Sequence, residues 1–396
     1  MIKETCDVLI LSASYGGGHN QVAKALTQAM QMQTPGIKIT TVDYCDLLAP
    51  FFNRLTQFGY SQSIRHFPVG YAFYYQAMGK MSPDSFWQKR LNRMGYSELI
   101  MLVNRLQPRV IVSIFPLPAG VLSQMKETGD LKIPVVTVIT DICVHNQWIH
   151  PHTDLYLVGS TEVANGLVNR GIPKERIAVT GIPILPDFSR NFSKSEVKRE
   201  FDCEEDDKIV LFMGGNEGVF GSTKFHHILS DLPAKTKLLL ITGNNQDLYD
   251  KLHPLVARFP NFRLIQYHQN MASLMEAAHV LVTKAGGVTI SEAMVKGLPM
   301  IIYKPIPGHE EANANYLWRH RAAIIAKGEH RLKTALQRMV IDEKFREHFR
   351  RNCLKISYPG SAEAGARLIL NMLIPATREV SYYSVKLRRE VSCQTN

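Results

Sequence analysis

A glycine-rich turn at residues 283–293 has the residue types that hold a nucleoside diphosphate. An apolar run ends at Thr283, two glycines follow, and a helical pattern begins. Backbone N–H groups at a helix start bind an anion, because they point at it and the helix dipole favours negative charge there. Glu292, one turn into the helix, can accept hydrogen bonds from both hydroxyls of a ribose. The residues of this turn expected to contact the ligand are Lys284, Gly286, Gly287, Val288 and Thr289.

A second glycine-rich loop, SYGGGH at residues 14–19, follows the first apolar run and opens a helix. Its spacing matches neither the GxGxxG dinucleotide fingerprint nor the P-loop. His19, at the end of this loop, can act as a general base toward an acceptor hydroxyl, because an imidazole titrates near working pH. The alternative is a histidine that only caps the loop through hydrogen bonds.

Residues 140–148, TDICVHNQW, follow another apolar run, and Asp141 and His145 should face the same cleft as His19. A carboxylate at Asp141 could raise the basicity of His19 or act as the base itself. The candidate catalytic residues are therefore His19, Asp141 and His145. Trp148 could shape an apolar groove for the acceptor, and the alternative is a polar loop with a buried tryptophan.

Two further loops follow apolar runs in the second half of the chain. GGNEGVFG at residues 214–221 is another turn suited to an anion, with Gly214 and Gly215 at its start. PGHEEAN at residues 307–313 begins a helix on which Glu310 and Asn313 share a face. An acid and an amide so placed suit the hydroxyl groups of a sugar ring, and the alternative is a solvated, capped helix start. Together, the five loops at strand ends form a more specific constellation than any one of them.

Apolar runs alternate with helical patterns, which predicts an α/β fold with parallel sheets covered on both faces. Predicted strands lie at residues 7–12, 37–43, 110–114, 135–139, 155–158, 209–213, 238–241, 262–265, 280–282 and 300–303. Predicted helices lie at residues 20–31, 161–170, 223–231, 245–259, 271–277 and 288–296. Because the pattern restarts midway, we expect two Rossmann-like lobes with a cleft at the carboxyl ends of their strands. The division is an N-terminal acceptor and membrane-facing lobe at 1–185, a linker at 186–206, a C-terminal nucleotide-binding lobe at 207–375 and a mobile tail at 376–396.

The composition limits the classes of partner and compartment. The 396-residue chain has a net charge of +11 and a pI near 9.3, and a basic surface favours anionic partners. The six cysteines form no CxxC pair, so we expect neither a metal site nor a disulfide framework, and reduced thiols indicate the cytosol. The N-terminal residues lack the pattern of a signal peptide, and no stretch approaches the roughly 20 apolar residues of a spanning helix. Membrane contact should therefore be peripheral.

The segment at residues 51–96 is rich in aromatic and basic residues and poor in acids. Such a mixture on amphipathic helices suits an anionic membrane surface, because rings enter the headgroup layer and cations meet anionic lipid. The alternative is a helical insertion whose aromatic side chains pack inside the lobe. Nucleic acid is not an expected partner, since no RNP-like motif accompanies the aromatics. The residues expected to face the acceptor or the membrane are Phe58, Tyr60, Arg65, Phe67, Tyr71, Tyr74, Trp87 and Trp148.

These motifs resemble those of the diacylglycerol glycosyltransferases: the processive diacylglycerol β-glucosyltransferases of Gram-positive bacteria and the plant monogalactosyldiacylglycerol synthases. The peptidoglycan N-acetylglucosaminyltransferase is more distantly similar. The likeness runs from about residue 8 to about residue 342. It rests on SASYGGGH, on FP at 115–116, on TDxxxHxxW, and on TGIPI at 180–184, TKAGGVTISEA and YKPIPGHEEANA.

The resemblance implies a GT-B fold and an inverting transfer of a hexose, expected to be glucose, from a UDP-sugar without a metal or other cofactor. It implies a monotopic enzyme at the cytoplasmic face of the cell membrane, with diacylglycerol or a glycosylated diacylglycerol as the acceptor. The diphosphate would then lie on residues 286–289, with Glu292 on the ribose. Tyr267 and His268 would frame the uracil. Glu310 and Asn313 would contact the hexose.

The chain departs from the family pattern in two places. His309 stands where these enzymes usually have glutamine, at a position that contacts the sugar, and this bears on which hexose is carried. The loop that starts at Gly214 also differs in detail from the plant version. The alternatives are a UDP-sugar enzyme with a soluble acceptor, an enzyme like the UDP-N-acetylglucosamine epimerases, or a nucleotide-sugar sensor without catalysis.

Overall fold

The structure is a computed structural model that describes residues 5–14, 17–48, 70, 73, 77–79, 81, 85–214, 232–243, 245–256 and 258–374. Several sequence predictions lie outside these residues and stay predictions. They concern residues 15 and 16, Gly215 with the rest of its loop at 216–221, the helix at 223–231, the tail at 376–396, and Phe58, Tyr60, Arg65, Phe67, Tyr71 and Tyr74.

Two parallel sheets of six strands each form the centre of the fold. The first sheet contains β1 (Val8–Ser12), β2 (Ile39–Asp43), β3 (Val110–Ser113), β4 (Val135–Val138), β5 (Leu155–Val158) and β6 (Ile177–Val179). The second contains β7 (Lys208–Met213), β8 (Thr236–Ile241), β9 (Phe262–Ile265), β10 (Val280–Thr283), β11 (Met300–Tyr303) and β12 (Ala323–Ala326). Their orders are β2-β1-β3-β4-β5-β6 and β12-β11-β10-β7-β8-β9. The predicted α/β fold with two Rossmann-like lobes is confirmed.

Helices connect the strands and cover the sheets. The described helices are α1 (Gly18–Gln33), α2 (Tyr44–Leu48), α3 (Phe86–Leu91), α4 (Tyr96–Leu106), α5 (Pro116–Glu127), α6 (Thr161–Val168), α7 (Lys194–Glu200), α8 (Gln246–Val256), α9 (Met271–Ala277), α10 (Gly287–Val295), α11 (His309–Arg319), α12 (Glu329–Ile341), α13 (Glu343–Ile356) and α14 (Ser361–Asn371). Short 3₁₀ helices lie at Asn146–Trp148, Lys174–Arg176 and Pro186–Ser189. None of these helices combines the length and the apolar character needed to cross a membrane.

The central strands are mostly apolar and buried because helices cover both faces of each sheet. All side chains of β1, β3 and β4 are buried, as are those of β10 and β11. The sequence analysis did not predict β6 and β12, which are three and four residues long and only partly buried. Parallel strands all end at the same edge, so the loops after β1, β4, β10 and β11 lie around one cleft.

The last described helix, α14, packs on the first lobe rather than on the second. Gln33 Nε2 at the end of α1 donates to the carbonyl oxygen of Glu363 at 2.8 Å. A Cβ atom placed on Gly365 would lie 3.2 Å from Leu26 and 3.3 Å from Leu157, so the helix approaches α1 closely. The chain therefore returns to its first lobe after completing the second sheet.

Candidate active site

The turn between β10 and α10 presents an uncapped helix start at the cleft. Ala285, which is buried, has φ 77° and so occupies the left-handed region that residues with a side chain seldom adopt. Gly286 is the N-cap of α10, and no side chain of the described residues caps this helix. The amide groups of the first turn are thus left for a ligand, and such a helix start favours an anion.

Glu292 lies on α10 inside the protein, and burial alone raises the pKa of its carboxyl to about 8. A buried carboxyl group whose charge is not compensated is costly, because its ionised form has lost its water. Hydrogen-bond donors from a ligand would stabilise the ionised form. The position therefore suits a ligand that carries hydroxyl groups.

Glu310, on the first turn of α11, lies next to the turn between β10 and α10. Its Oε1 is 3.4 Å from Lys284 Nζ, and its Oε2 accepts a hydrogen bond of 2.7 Å from the backbone N–H of Ile306. Burial raises the pKa of Glu310, and the positive charge of Lys284 opposes that increase. A Cβ atom placed on Gly286 would lie 3.7 Å from Oε1, which puts this carboxyl beside the predicted diphosphate site. His309, the preceding residue, is partly buried.

The loop after β1 is held by a hydrogen-bond network that the sequence analysis missed. Ser14 Oγ donates to Asp43 Oδ2 at 2.5 Å, and Asn20 Nδ2 donates to Ser14 Oγ at 3.1 Å. Ser12 Oγ donates to Asn20 Oδ1 at 2.6 Å. Asp43 is the last residue of β2, which pairs with β1. An acidic residue at this strand end was the feature of the sequence that could have indicated the network. The network fixes the start of α1, the helix that carries His19.

His19 is the second residue of α1 and is partly buried. Its ring meets the ring of Phe115 edge to face, with centroids 5.4 Å apart. The first turns of α1 and α10 are in contact, since a Cβ atom on Gly18 would lie 3.6 Å from Cγ2 of Val288. Two helix N-termini, one from each lobe, therefore meet next to His19.

The loop after β4 reaches the second lobe at two points. A Cβ atom on Gly287 would lie 2.0 Å from the carbonyl oxygen of Thr140, so only glycine permits this approach. Asn313, which is 0% exposed, accepts a 2.8 Å hydrogen bond from the N–H of Ile142 through Oδ1. Its Nδ2 donates to Asp141 Oδ1 at 3.1 Å and to the carbonyl oxygen of Ala285 at 3.0 Å. The structure thus brings Asp141 and Asn313 together.

Other described residues of the loop after β4 have contacts within the loop, and a catalytic part for His145 stays a prediction. His145 Nδ1 accepts a hydrogen bond from the N–H of Gln147 at 3.4 Å and begins the short 3₁₀ helix. Trp148 is buried in the core, in agreement with the alternative of a buried tryptophan. His150, beyond the predicted motif, is also buried, and burial lowers its pKa to about 4. Its Nε2 lies 2.9 Å from the carbonyl oxygen of Gln147, so it is a neutral support for the loop.

The residues predicted to frame the uracil differ in their surroundings. Tyr267 is 65% exposed. His268 Nε2 lies 3.0 Å from Glu200 Oε1 on α7, while its buried Nδ1 has no hydrogen-bond partner among the residues that the structure describes. Gly214, at the end of β7, is buried. A uracil contact by Tyr267 or His268 stays a prediction.

An aromatic and basic patch lies on α3 in the first lobe. Phe86 and Trp87 are 71% and 66% exposed, and their rings meet edge to face with centroids 5.7 Å apart. Lys89 and Arg90 of the same helix are exposed. Phe73, just upstream, is also exposed. Exposed rings beside cations are the features expected of a membrane-contacting surface.

Two family models match consecutive parts of the chain. The model described as monogalactosyldiacylglycerol (MGDG) synthase matches residues 19–184. The model described as glycosyltransferase family 28 C-terminal domain matches residues 209–352. The first therefore covers most of the first lobe, and the second covers most of the second.

Among curated proteins, the chain is 31% identical over 365 residues to a processive diacylglycerol beta-glucosyltransferase of Bacillus licheniformis, covering 90% of this chain and 92% of that protein. It is 32% identical over 348 residues to the protein of the same name from Bacillus cereus, covering 87% of each.

Solved structures share the fold. Acinetobacter baumannii MurG has a TM-score of 0.61 at 15% identity, and the match covers 92% of this chain and 99% of the MurG chain. The S. aureus MnaA–UDP co-structure has a TM-score of 0.63 at 12% identity and covers 96% of this chain and 100% of its own.

Proposed function

We propose, from the premise that this chain belongs to the family of the diacylglycerol glycosyltransferases, that it transfers glucose from UDP-glucose to diacylglycerol or a glycosylated diacylglycerol. It is a UDP-sugar-dependent glycosyltransferase with the GT-B fold. The relatives that share about a third of its residues over most of its length are named as beta-glucosyltransferases of diacylglycerol, which supports glucose and this acceptor.

The observation that carries the proposal is the contact between the first turns of α1 and α10, next to His19. The amides of residues 286–289 would hold the diphosphate of the donor, and Glu292 would accept hydrogen bonds from the ribose hydroxyls. Helix N-termini fixed in this way stabilise the negative charge that grows on UDP as it departs. We therefore propose that the transfer needs no metal ion or other cofactor.

The hexose would lie beside Glu310, since this carboxyl is next to Gly286 at the predicted diphosphate site. Lys284 holds Glu310 in place, and His309 precedes it on the same helix. A carboxylate accepts hydrogen bonds from neighbouring sugar hydroxyls. Glu310 and His309 are therefore the residues that we propose to distinguish glucose from other hexoses.

The reaction would be a single displacement. The acceptor hydroxyl oxygen forms a bond to the anomeric carbon as the bond from that carbon to the phosphate oxygen breaks, so the configuration inverts. His19 or Asp141 takes the proton of the hydroxyl, and the electron pair of the broken bond leaves with UDP. The products are a β-glycolipid, UDP and the protonated base. Approach of the two lobes excludes water and so limits hydrolysis of the donor.

The acceptor would reach the site from the membrane. The patch of Phe73, Phe86, Trp87, Lys89 and Arg90, with the net charge of +11, supports peripheral binding to an anionic leaflet. We place the enzyme at the cytoplasmic face, where nucleotide sugars are the donors.

The test is a transfer assay with the purified full-length chain, radiolabelled UDP-glucose and vesicles of phosphatidylglycerol that contain diacylglycerol. We expect label in a chloroform-soluble glycolipid, more label from UDP-glucose than from UDP-galactose or UDP-N-acetylglucosamine, and the same rate with a chelator present. Label that appears only in water-soluble products would contradict the lipid acceptor. A rate that disappears with the chelator would contradict a reaction without metal.

A further inference from the structure

We infer that Asn313 is a positioning residue that aligns Asp141 for the reaction when the two lobes are together, and does not contact the hexose. This inference rests on the proposed function, because it assigns Asp141 a part in the chemistry. It gives Asn313 a role different from the sugar contact that the resemblance implies.

The first argument is the placement of the carboxamide between the lobes. Asn313 is on α11 of the second lobe, and both Asp141 and Ile142 belong to the loop after β4 of the first lobe. Asn313 donates to the side chain of Asp141 and accepts from the backbone of Ile142. The side chain therefore fixes both the carboxylate and the backbone that carries it.

The second argument is that no amide hydrogen is left for a sugar. A carboxamide has two N–H donors, and those of Asn313 are used by Asp141 and by the carbonyl oxygen of Ala285. The side chain is completely buried, so a hexose could reach it only after these bonds had broken. The carbonyl of Ala285 and the carboxylate of Asp141 would then each lose a donor, which is unfavourable for buried polar groups.

The third argument is the conformation of Ala285. A residue with a side chain at φ 77° is strained and needs its surroundings to hold it there. The bond from Asn313 to the carbonyl oxygen of Ala285 provides such support one residue before Gly286. The same amide thus connects the predicted diphosphate turn to Asp141.

A second contact between the lobes lies at the other end of α11, at Arg319 and His320. Glu162 is at the start of α6 in the first lobe. Its Oε2 accepts a 2.8 Å hydrogen bond from Arg319 Nη2, and its Oε1 lies 2.9 Å from His320 Nε2. The helix is therefore attached to the first lobe near Asn313 and again one to two turns later. Two attachments along one helix limit its rotation, so Asn313 meets Asp141 in a defined orientation.

The test compares Asn313→Ala with Asn315→Ala, an exposed asparagine on the same helix. Steady-state transfer gives kcat and KM, and calorimetry gives the affinity for UDP. We expect Asn313→Ala to lower kcat by about 100-fold, as a misplaced reacting group does. UDP affinity and the KM for UDP-glucose should change by less than about tenfold, because the variant also loses the bond that supports Ala285 beside the diphosphate turn. Asn315→Ala should match the wild type in all three.

A double-mutant cycle separates positioning from general stability. We expect Asp141→Ala to lower kcat, and Asn313→Ala to have no further effect on kcat in that background, because there is no carboxylate left to align. Asn313→Asp, which keeps the shape of the side chain, provides a second variant if the alanine variant does not fold. It should be at least as slow as Asn313→Ala, since it sets a second carboxylate against Asp141 and removes both donors.

Three results would overturn the inference. One is a higher KM for UDP-glucose with unchanged kcat in Asn313→Ala, which indicates a sugar contact. Another is an unchanged kcat in Asp141→Ala, and the last is additive losses in the double variant. By contrast, a wild-type protein that transfers nothing to diacylglycerol contradicts the proposed function, so the two failures are distinguishable.

Discussion

The amide nitrogen of Asn313 lies 3.1 Å from Oδ1 of Asp141, although the two residues are 172 positions apart and belong to different lobes. This bond joins α11 of the second lobe to the loop after β4 of the first lobe. The same amide nitrogen donates to the carbonyl oxygen of Ala285, at the turn proposed to hold the donor. Asn313 therefore connects that turn to Asp141, one of the two residues proposed to take the proton.

Substituting Gly287→Ala should destabilise the protein, whereas Gly286→Ala should not. A Cβ at 287 would lie 2.0 Å from the carbonyl oxygen of Thr140, while one at 286 has its nearest neighbour at 3.7 Å. Gly286 also has φ −61° and ψ 135°, which alanine adopts freely. We expect Gly287→Ala to lower the free energy of unfolding by roughly 1–3 kcal/mol, as overpacking does. Denaturant unfolding of the two variants checks this, and equal midpoints would refute the close approach of the lobes.

The affinity for UDP should rise as the pH increases from 7 to 9. Burial raises the pKa of Glu292 to about 8, and ribose hydroxyls donate hydrogen bonds to its ionised form. The phosphate groups of UDP should change charge little in this range, because the last pKa of a phosphate ester is about 6. Calorimetry at pH 7, 8 and 9 gives the trend, and Glu292→Gln is the control in which it should vanish. A trend that persists in the glutamine variant would mean that another group titrates.

The same carboxyl should make the unliganded protein less stable as the pH rises. Its folded-state pKa of about 8 exceeds the ordinary glutamate pKa of 4.5, which applies in the unfolded chain, so the folded state binds the proton more tightly. Its contribution is fully present below about pH 4.5 and is lost as the pH rises through about 8. The difference in unfolding free energy between wild type and Glu292→Gln, followed from pH 5 to 9, isolates this contribution. A constant difference would show that Glu292 ionises normally.

Substituting His19→Ala should lower turnover by about 100-fold or more while leaving UDP affinity within about threefold, because a general base acts on the acceptor and not on the nucleotide. The control is His330→Ala, an exposed histidine that is likewise the second residue of a helix, α12. Stopped assays for kcat and calorimetry for UDP make the comparison. Equal losses of turnover and affinity would assign His19 to binding or to structure.

Replacing both Phe86 and Trp87 by serine should weaken binding to phosphatidylglycerol vesicles without changing UDP affinity. The two rings are exposed on α3 beside Lys89 and Arg90, and aromatic side chains anchor proteins at the headgroup layer. Trp318→Ser is the control, since this tryptophan is 61% exposed but lies on α11 in the second lobe. Vesicle flotation measures the bound fraction. Equal flotation of all three proteins would place the membrane contact elsewhere.

The sheets could be predicted because buried parallel strands are nearly continuous apolar runs, as in VLILS at β1 and VVTV at β4, each with a single hydroxyl residue. The glycine-rich turn at 286–287 could also be predicted, because the strand, the turn and the helix start that define it are adjacent in the sequence. β6 (Ile177–Val179) is apolar, but three partly buried residues are too short a run to be recognised as a strand from the sequence.

Contacts between distant segments could not be predicted from residue types. Nothing local to Asn313 indicates that its amide reaches Asp141, and nothing near Lys284 indicates an ion pair with Glu310. His268 illustrates the same limit, because its partner Glu200 lies on a helix inside the predicted linker. Such pairs depend on how the two lobes meet, which spacing along the chain does not encode.

The most direct measurement is a crystal structure of the full chain grown with UDP. The account predicts density for a diphosphate on the backbone amides of residues 286–289, with both ribose hydroxyls within hydrogen-bond distance of Glu292. A nucleotide bound elsewhere, or a turn that stays empty at saturating UDP, would contradict it.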